Sequence, residues 1–357
     1  MKTYIKFLVN LFNVSFFKVF CTFFIIVLIT NILEEIEFFK NIDINFLYLV
    51  FLSFLNSPSI LFEILPFIFL LTTQIFFISL IDKKELEIFK YTGLNNLMIV
   101  KIISLYTFIA GFFIIVIFYN ASAILKNSYL SIVNKYSDDN KYLAVITENG
   151  LWIKDEINSN INIINANKVS DQFLLDVSIT QFNNSFEITN IIFSEKVDIS
   201  SYKWKLINPV ILKDTQKITL SDMEMQSNFD LKKINSLFSN LSSLTLIKLF
   251  NLRKSYKALN YSVTDIDSHL YKIISYPLYL TLITIFSAII MFNIGYQKNS
   301  FFKITLGIFL SVVIYYINYF LNVLGTNERI PLILSIFMPL ILLTIINFIT
   351  IIKLNEK

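Results

Sequence analysis

The chain has 357 residues, of which 55% are hydrophobic and only 16% are charged, and its net charge is +4. An ordinary soluble domain is nearer a quarter charged, so this composition excludes a protein that meets only water. Since no basic cluster is interleaved with stacking aromatic residues, a nucleic-acid partner is not expected.

Six apolar stretches recur along the chain, each near the roughly 20 residues that cross about 30 Å of hydrocarbon. The first is longer than the usual core of a signal peptide, and no small-x-small cleavage site follows it, so we expect a retained membrane helix. The predicted membrane spans are residues 14–35, 58–81, 98–120, 270–293, 302–324 and 331–352.

Residues 121–265, between the third and fourth stretches, are rich in Asn, Ser, Asp and Lys. Their apolar runs are short and separated by turn-forming residues, which is typical of β-strands. Several strands at this spacing predict an all-β sandwich or a jelly-roll-like domain. The runs are YLAVIT (142–147), GLWIKD (150–155), INIINA (161–166), FEITNIIF (186–193), YKWKLI (202–207) and QKITL (216–220).

The sequence therefore predicts three parts. Residues 1–120 hold spans one to three, residues 121–265 form the β domain, and residues 266–357 hold spans four to six. Lysine is concentrated in the segments that share a side with the N-terminus, whereas the opposite short loops carry only Lys40 and Arg329 as cations. The positive-inside rule then predicts cytoplasmic N- and C-termini and a β domain outside the inner membrane.

Residues 82–95, DKKELEIFKYTGLN, form a charged island between the second and third spans. Leu86, Phe89 and Leu94 recur at a spacing that predicts a short helix with one apolar face. Gly93 is a suitable stop for this helix, because glycine tolerates the left-handed conformation that closes helices. The segment is either a solvated link between two spans or a surface helix that docks into a groove on a partner.

ELEIFKYTG, from Glu85 to Gly93, resembles the ELxxxxxxG stretch that follows the second span in the lipopolysaccharide-export permeases LptF and LptG, the YjgP/YjgQ family. Other similar stretches follow in the family's order and cover nearly the whole chain. The acidic LEEIEFFK after span one and the closing IIKLNEK favour the LptG branch. The further stretches are GLWIKD (150–155), WKLINPVIL (204–212), residues 244–278 leading into span four, and LGTNERIPLILSIFMP (324–339).

This resemblance implies a heterodimer with a second, LptF-type six-span permease on a dimeric LptB-type ATPase. It implies that lipopolysaccharide leaves the inner membrane through the β domains towards LptC. It makes Lys40 a candidate contact for lipid phosphate, because this lysine is the one cation kept near the outer end of span one. The residues implied in ATPase coupling are Glu85, Leu86, Phe89, Lys90 and Gly93.

The remaining chemistry-bearing residues predict no enzyme, cofactor or metal site. Cys21 and His269 are the only residues of their types, and no glycine precedes a Walker-type Lys-Ser or Lys-Thr pair, so ATP dependence would come from a partner. His269 is expected to be a helix-end or packing residue. Two alternatives stay open: an ABC-type permease for another lipid or lipoprotein cargo, and a membrane-anchored periplasmic sensor or enzyme whose β domain works alone.

Overall fold

The computed structural model divides into two compact units, Met1–Lys126 with Thr264–Lys357, and Asn127–Val263. The predicted strand 142–147 and Gly150 of the GLWIKD run lie outside the described residues. The structure describes residues 3–40, 42, 44–133, 136, 151–157, 160–170, 172–183, 187–213, 216–231, 234, 240–258, 262–293 and 300–355.

Nine α-helices lie in this described part of the chain. Six helical stretches are long and apolar enough to cross a membrane, namely α1, α2, α4 continued into α5, α7, α8 and α9, which confirms the six predicted spans. A π-helical turn, Ile114–Tyr119, joins α4 to α5. The helices are α1 Thr3–Phe38, α2 Phe46–Asp82, α3 Glu85–Tyr91, α4 Asn96–Phe113, α5 Asn120–Val133, α6 Leu246–Ala258, α7 Thr264–Asn293, α8 Ser300–Thr326 and α9 Leu332–Asn355.

Helix α2 begins at Phe46, twelve residues before the span predicted from the sequence. Polar residues near Pro58 lower the local hydropathy, yet their hydrogen bonds are satisfied within the helix pair. The Ser57 hydroxyl donates to the Ser53 carbonyl at 2.6 Å, and the Asn31 side-chain amide of α1 donates to the Ser57 hydroxyl at 2.9 Å. At 1.5 Å per residue this helix is roughly 55 Å long, so it extends beyond one hydrocarbon layer.

Helices α2 and α7 form the centre of the helical unit. About two thirds of each apolar span is buried, 61% and 67%, against 17% for α1 and 11% for α8. Side-chain to backbone hydrogen bonds join the two central helices: the Ser287 hydroxyl donates to the Leu70 carbonyl at 2.8 Å, and the Tyr276 hydroxyl donates to the Phe62 carbonyl. Such bonds satisfy polar groups that have no water partner in hydrocarbon.

The second unit contains one antiparallel eight-stranded sheet, which confirms the predicted inserted β domain. The strand order is β1-β2-β3-β4-β5-β8, and the β6–β7 hairpin pairs with the other end of β4. The jelly-roll assignment stays a prediction. The strands are β1 Leu151–Ile157, β2 Asn160–Ser170, β3 Phe173–Phe182, β4 Ile188–Asp198, β5 Lys203–Ile207, β6 Val210–Lys213, β7 Gln216–Thr219 and β8 Asp222–Gln226.

A ladder of isoleucines crosses the inner face of this sheet, one from each of six of the eight strands, at directly paired positions. The first four are fully buried. Paired β-branched side chains on one face are the unit of sheet stabilisation, so the ladder fixes the register of six strands at once. Its members are Ile153, Ile164, Ile179, Ile192, Ile211 and Ile218.

Asp155 joins the two ends of the strand order. It lies in β1, is 0% exposed, and its carboxylate accepts three hydrogen bonds from residues that directly follow β8. The donors are the Ser227 hydroxyl at 2.8 Å, the Asn228 backbone N–H at 3.1 Å and the Asn228 side-chain amide at 2.8 Å. The sheet therefore curls until β1 and the end of β8 are neighbours.

Candidate functional site

Helix α3 lies within the charged island 82–95 and is fixed at both ends by backbone conformation. Lys84 precedes it in the left-handed region at φ 57°, and Gly93 follows it at φ 86°. The Gly93 N–H donates to the Lys90 carbonyl at 3.0 Å, and the Leu94 N–H donates to the Phe89 carbonyl at 2.9 Å. These paired bonds form a Schellman cap, which confirms Gly93 as the predicted stop.

The predicted apolar face of α3 faces the helical bundle. Leu86 is 1% exposed and Leu94 is buried. The ring of Phe89 lies 5.9 Å from the ring of Phe7 in α1, measured between centroids. Leu86 is buried and Phe89 is half-buried against the chain itself, so both hold α3 to the bundle. Their predicted contact with a partner ATPase stays a prediction.

The outward face of α3 carries a different apolar pair. Ile88 is 58% exposed and Tyr91 is 91% exposed, and the two are three residues apart on one side of the helix. Lys90 is exposed beside them, while Glu85 is half-buried at the start of the helix. Sequence reasoning missed Ile88 and Tyr91, although their i, i+3 spacing was the available signal.

A charged cluster lies between α2, α5 and α7. Glu63 of α2 is within electrostatic range of both Lys126 and Lys272. Both lysines are also within electrostatic range of His269. The Nε2 atom of His269 lies 3.0 Å from the Tyr119 hydroxyl. The sequence contained a signal for this cluster, because Glu63 is an ionisable residue inside a predicted span, and such residues mark functional positions.

The depth of this cluster matches one face of a bilayer. Glu63 stands 19 residues before the end of α2, and Lys272 stands 21 residues before the end of α7. At 1.5 Å per residue both are about 30 Å from those helix ends, which is one hydrocarbon thickness. The exposed tyrosines of α8, Tyr315, Tyr316 and Tyr319, stand 15 to 19 residues from its start, as expected for an aromatic belt at that interface.

A family model described as "Lipopolysaccharide export system permease LptF/LptG" matches residues 6–353, nearly the whole chain. The chain belongs to the LptF/LptG family. Among curated proteins, none matches it. An LptF/LptG member with six apolar helices is a multi-pass inner-membrane permease of lipopolysaccharide export. The match does not separate LptG from LptF, so the LptG assignment stays a prediction.

In this LptF/LptG permease, Lys40 lies exposed in the turn that follows α1. Two acidic residues near it differ in exposure: Glu34 is exposed, whereas Glu35 is buried. Acidic residues at a membrane edge are ordinarily solvated, which holds for Glu34 but not for Glu35, because the position of Glu35 turns towards the rest of the bundle. Among the residues that the structure describes, no three His, Cys, Asp or Glu side chains come together as a metal site.

Proposed function

We propose that the chain is the LptG-type permease subunit of an ABC transporter that extracts lipopolysaccharide from the inner membrane. An LptF-type permease would be its membrane partner, an LptB-type dimer its ATPase, and LptC the acceptor of the lipid. The observation that carries this proposal is the family match over residues 6–353, which spans both units of the chain.

The ATPase would bind the outward face of α3. Ile88 and Tyr91 supply two apolar anchors, and Lys90 supplies a polar flank, which is the pattern of a helix that docks into a groove. Leu86 and Phe89 hold the other face of α3 to the bundle. Force applied to α3 therefore reaches α2 directly, because only Lys83 and Lys84 separate the two helices.

The charged cluster would bind the phosphates of the lipid at the outer interface. Lys126 and Lys272 are cations at that depth, and ammonium groups are good phosphate partners. The exposed apolar flanks of α1 and α8 would face the second permease, so that the two subunits enclose a cavity. Work is required because each buried CH₂ of an acyl chain resists extraction by about 0.8 kcal/mol.

The cargo is tested by purifying the chain with its partners in mild detergent and identifying the bound lipid by mass spectrometry. We expect lipopolysaccharide in the wild-type complex and several-fold less of it in a Lys126→Ala, Lys272→Ala variant. Lys217→Ala, on the exposed strand β7, is the matched control for loss of a lysine. A lipoprotein or another lipid in place of lipopolysaccharide would contradict the proposal.

A further inference from the structure

Gln74 of α2 reaches across to α8 in the buried part of the helical unit. It is 0% exposed, and its side-chain amide nitrogen donates to the carbonyl oxygen of Lys303 at 3.0 Å. The same amide lies against Gly307, one turn further along α8, where any Cβ would collide with it. The Gln74 Oε1 atom is buried and accepts no hydrogen bond from the described residues. Buried polar atoms without partners are uncommon and call for an explanation.

The hydrogen bond from Gln74 to Lys303 lies near the end of α2 that leads into α3. Gln74 stands eight residues, about two turns, before Asp82, the last residue of α2. Asp82 is within electrostatic range of Lys303, which is buried near the start of α8. Helices α2 and α8 are thus hydrogen-bonded through Gln74, and a longer-range attraction between Asp82 and Lys303 acts nearer the end of α2 that leads into α3. Helix α8 is the least buried of the spans in the described chain, and its side-chain hydrogen bonds to α7, Ser268–Asn322 and Asn318–Tyr279, lie in its second half.

We infer that Gln74 is a positioning residue that transmits movement of α3, through α2, to α8. This inference rests on the proposed function, in which α3 receives force from an ATPase. A packed contact between rigid helices carries displacement, and the unused Oε1 acceptor leaves Gln74 able to make a second hydrogen bond when α8 shifts. Gly307 keeps α8 close enough for the amide to bond the backbone itself rather than a mobile side chain.

Asn347 of α9 provides a matched control. Its side-chain amide donates to the Leu282 carbonyl of α7 at 3.0 Å, it is buried, and its Oδ1 atom likewise has no hydrogen-bond partner among the described residues. The chemistry and burial equal those of Gln74. The helices that it joins, however, are not those that connect α3 with α8.

The test compares Gln74→Leu with Asn347→Leu in the full permease–ATPase complex, reconstituted in proteoliposomes that contain lipopolysaccharide. ATP hydrolysed and lipid released are measured in the same sample. We expect Gln74→Leu to keep its ATPase activity while lipid released per ATP falls about threefold or more, and Asn347→Leu to keep the wild-type ratio. Equal ratios in the two variants would overturn the inference, whether both fall or neither does.

A double-mutant cycle tests the contact itself. Gly307→Ala introduces a Cβ into the Gln74 amide, so alone it should lower the lipid-per-ATP ratio. Gln74→Ala removes the colliding amide, so the double variant should match Gln74→Ala alone, whereas independent sites give additive losses. Additive losses would overturn the inference. A wild-type complex that releases no lipid with ATP would overturn the proposed function as well, whereas normal wild-type release with an unaffected Gln74→Leu overturns the inference alone.

Discussion

Gly93 and Asp155 each hold a local conformation that other residues support poorly. At Gly93 the backbone adopts φ 86°, where a side chain strains the chain even though open space surrounds the position. At Asp155 a buried carboxylate satisfies three donors at once. The first residue ends α3, and the second closes the curled sheet.

Replacement of Gly93 should destabilise the end of α3, and backbone strain alone should set the order in which different replacements reduce stability. We expect Gly93→Asn to cost least, Gly93→Ala about 1 kcal/mol, and Gly93→Val more, because β-branched residues fit the left-handed region worst. Thermal unfolding of the purified chain measures this order. An alanine variant as stable as the wild type would show that the cap is not needed.

Asp155→Ala should strongly lower the stability of the β unit, because it leaves buried hydrogen-bond donors without their acceptor. Hydrogen bonds to a charged group are worth about 1.5–3 kcal/mol each, so we expect a loss of roughly 3 kcal/mol or more. Limited proteolysis of the full chain should then cut within residues 151–231 much faster. Asp198→Ala, which removes the acceptor of the exposed Ser200 turn, is the control and should change little.

Sequence reasoning located Gly93 because its conformational requirement is a property of one residue. It missed Lys126 and Lys272, because their importance comes from a shared neighbour, Glu63, that is distant in the chain. Hydropathy averages over about a helical span and hides one carboxylate among apolar residues. Only the packing of three helices makes these charges a cluster.

At the scale of elements, hydropathy predicted all six spans but not every strand. Strand β8, Asp222–Gln226, was missed because its only apolar residues are two methionines between acidic and amide side chains. Strand β3, Phe173–Phe182, was also missed, although Leu174, Val177 and Ile179 supply its buried face. A left-handed residue, Asp176, interrupts the alternation of β3 and obscures its period.

Helix α3 shows why periodicity alone could not give the contact face. Leu86 and Phe89 lie on one face of this seven-residue helix, and Ile88 and Tyr91 lie on the opposite face. Both faces therefore carry apolar side chains. The spacing identifies both faces but cannot say which one the bundle covers. That choice depends on α1 and α2.

The two faces of α3 should therefore respond differently to substitution. We expect Ile88→Asp with Tyr91→Asp to abolish copurification of the ATPase while thermal stability stays near that of the wild type, since both side chains are exposed. Leu86→Ala, in contrast, should cost about 2–5 kcal/mol as a core truncation. If the double variant still binds the ATPase normally, α3 is not the docking helix.

At the scale of the whole molecule, the six spans and the inserted β unit require each connection to lie on a definite side of the membrane. By the positive-inside rule, the lysines that follow α2 and the lysine near the start of α8 predict that these two helix ends lie in the cytoplasm. The same rule predicts a periplasmic β unit. Force from a cytoplasmic ATPase can reach α3 only in this orientation.

Site-specific labelling with a membrane-impermeant thiol reagent tests this requirement most directly. In a Cys21→Ala background, Tyr91→Cys reports on α3 and Lys217→Cys reports on the exposed β7 strand. We expect Tyr91→Cys to react only in inverted membrane vesicles, and Lys217→Cys to react only in right-side-out vesicles. Reaction of Tyr91→Cys in right-side-out vesicles would put α3 in the periplasm and contradict the role of α3 in coupling the permease to an ATPase.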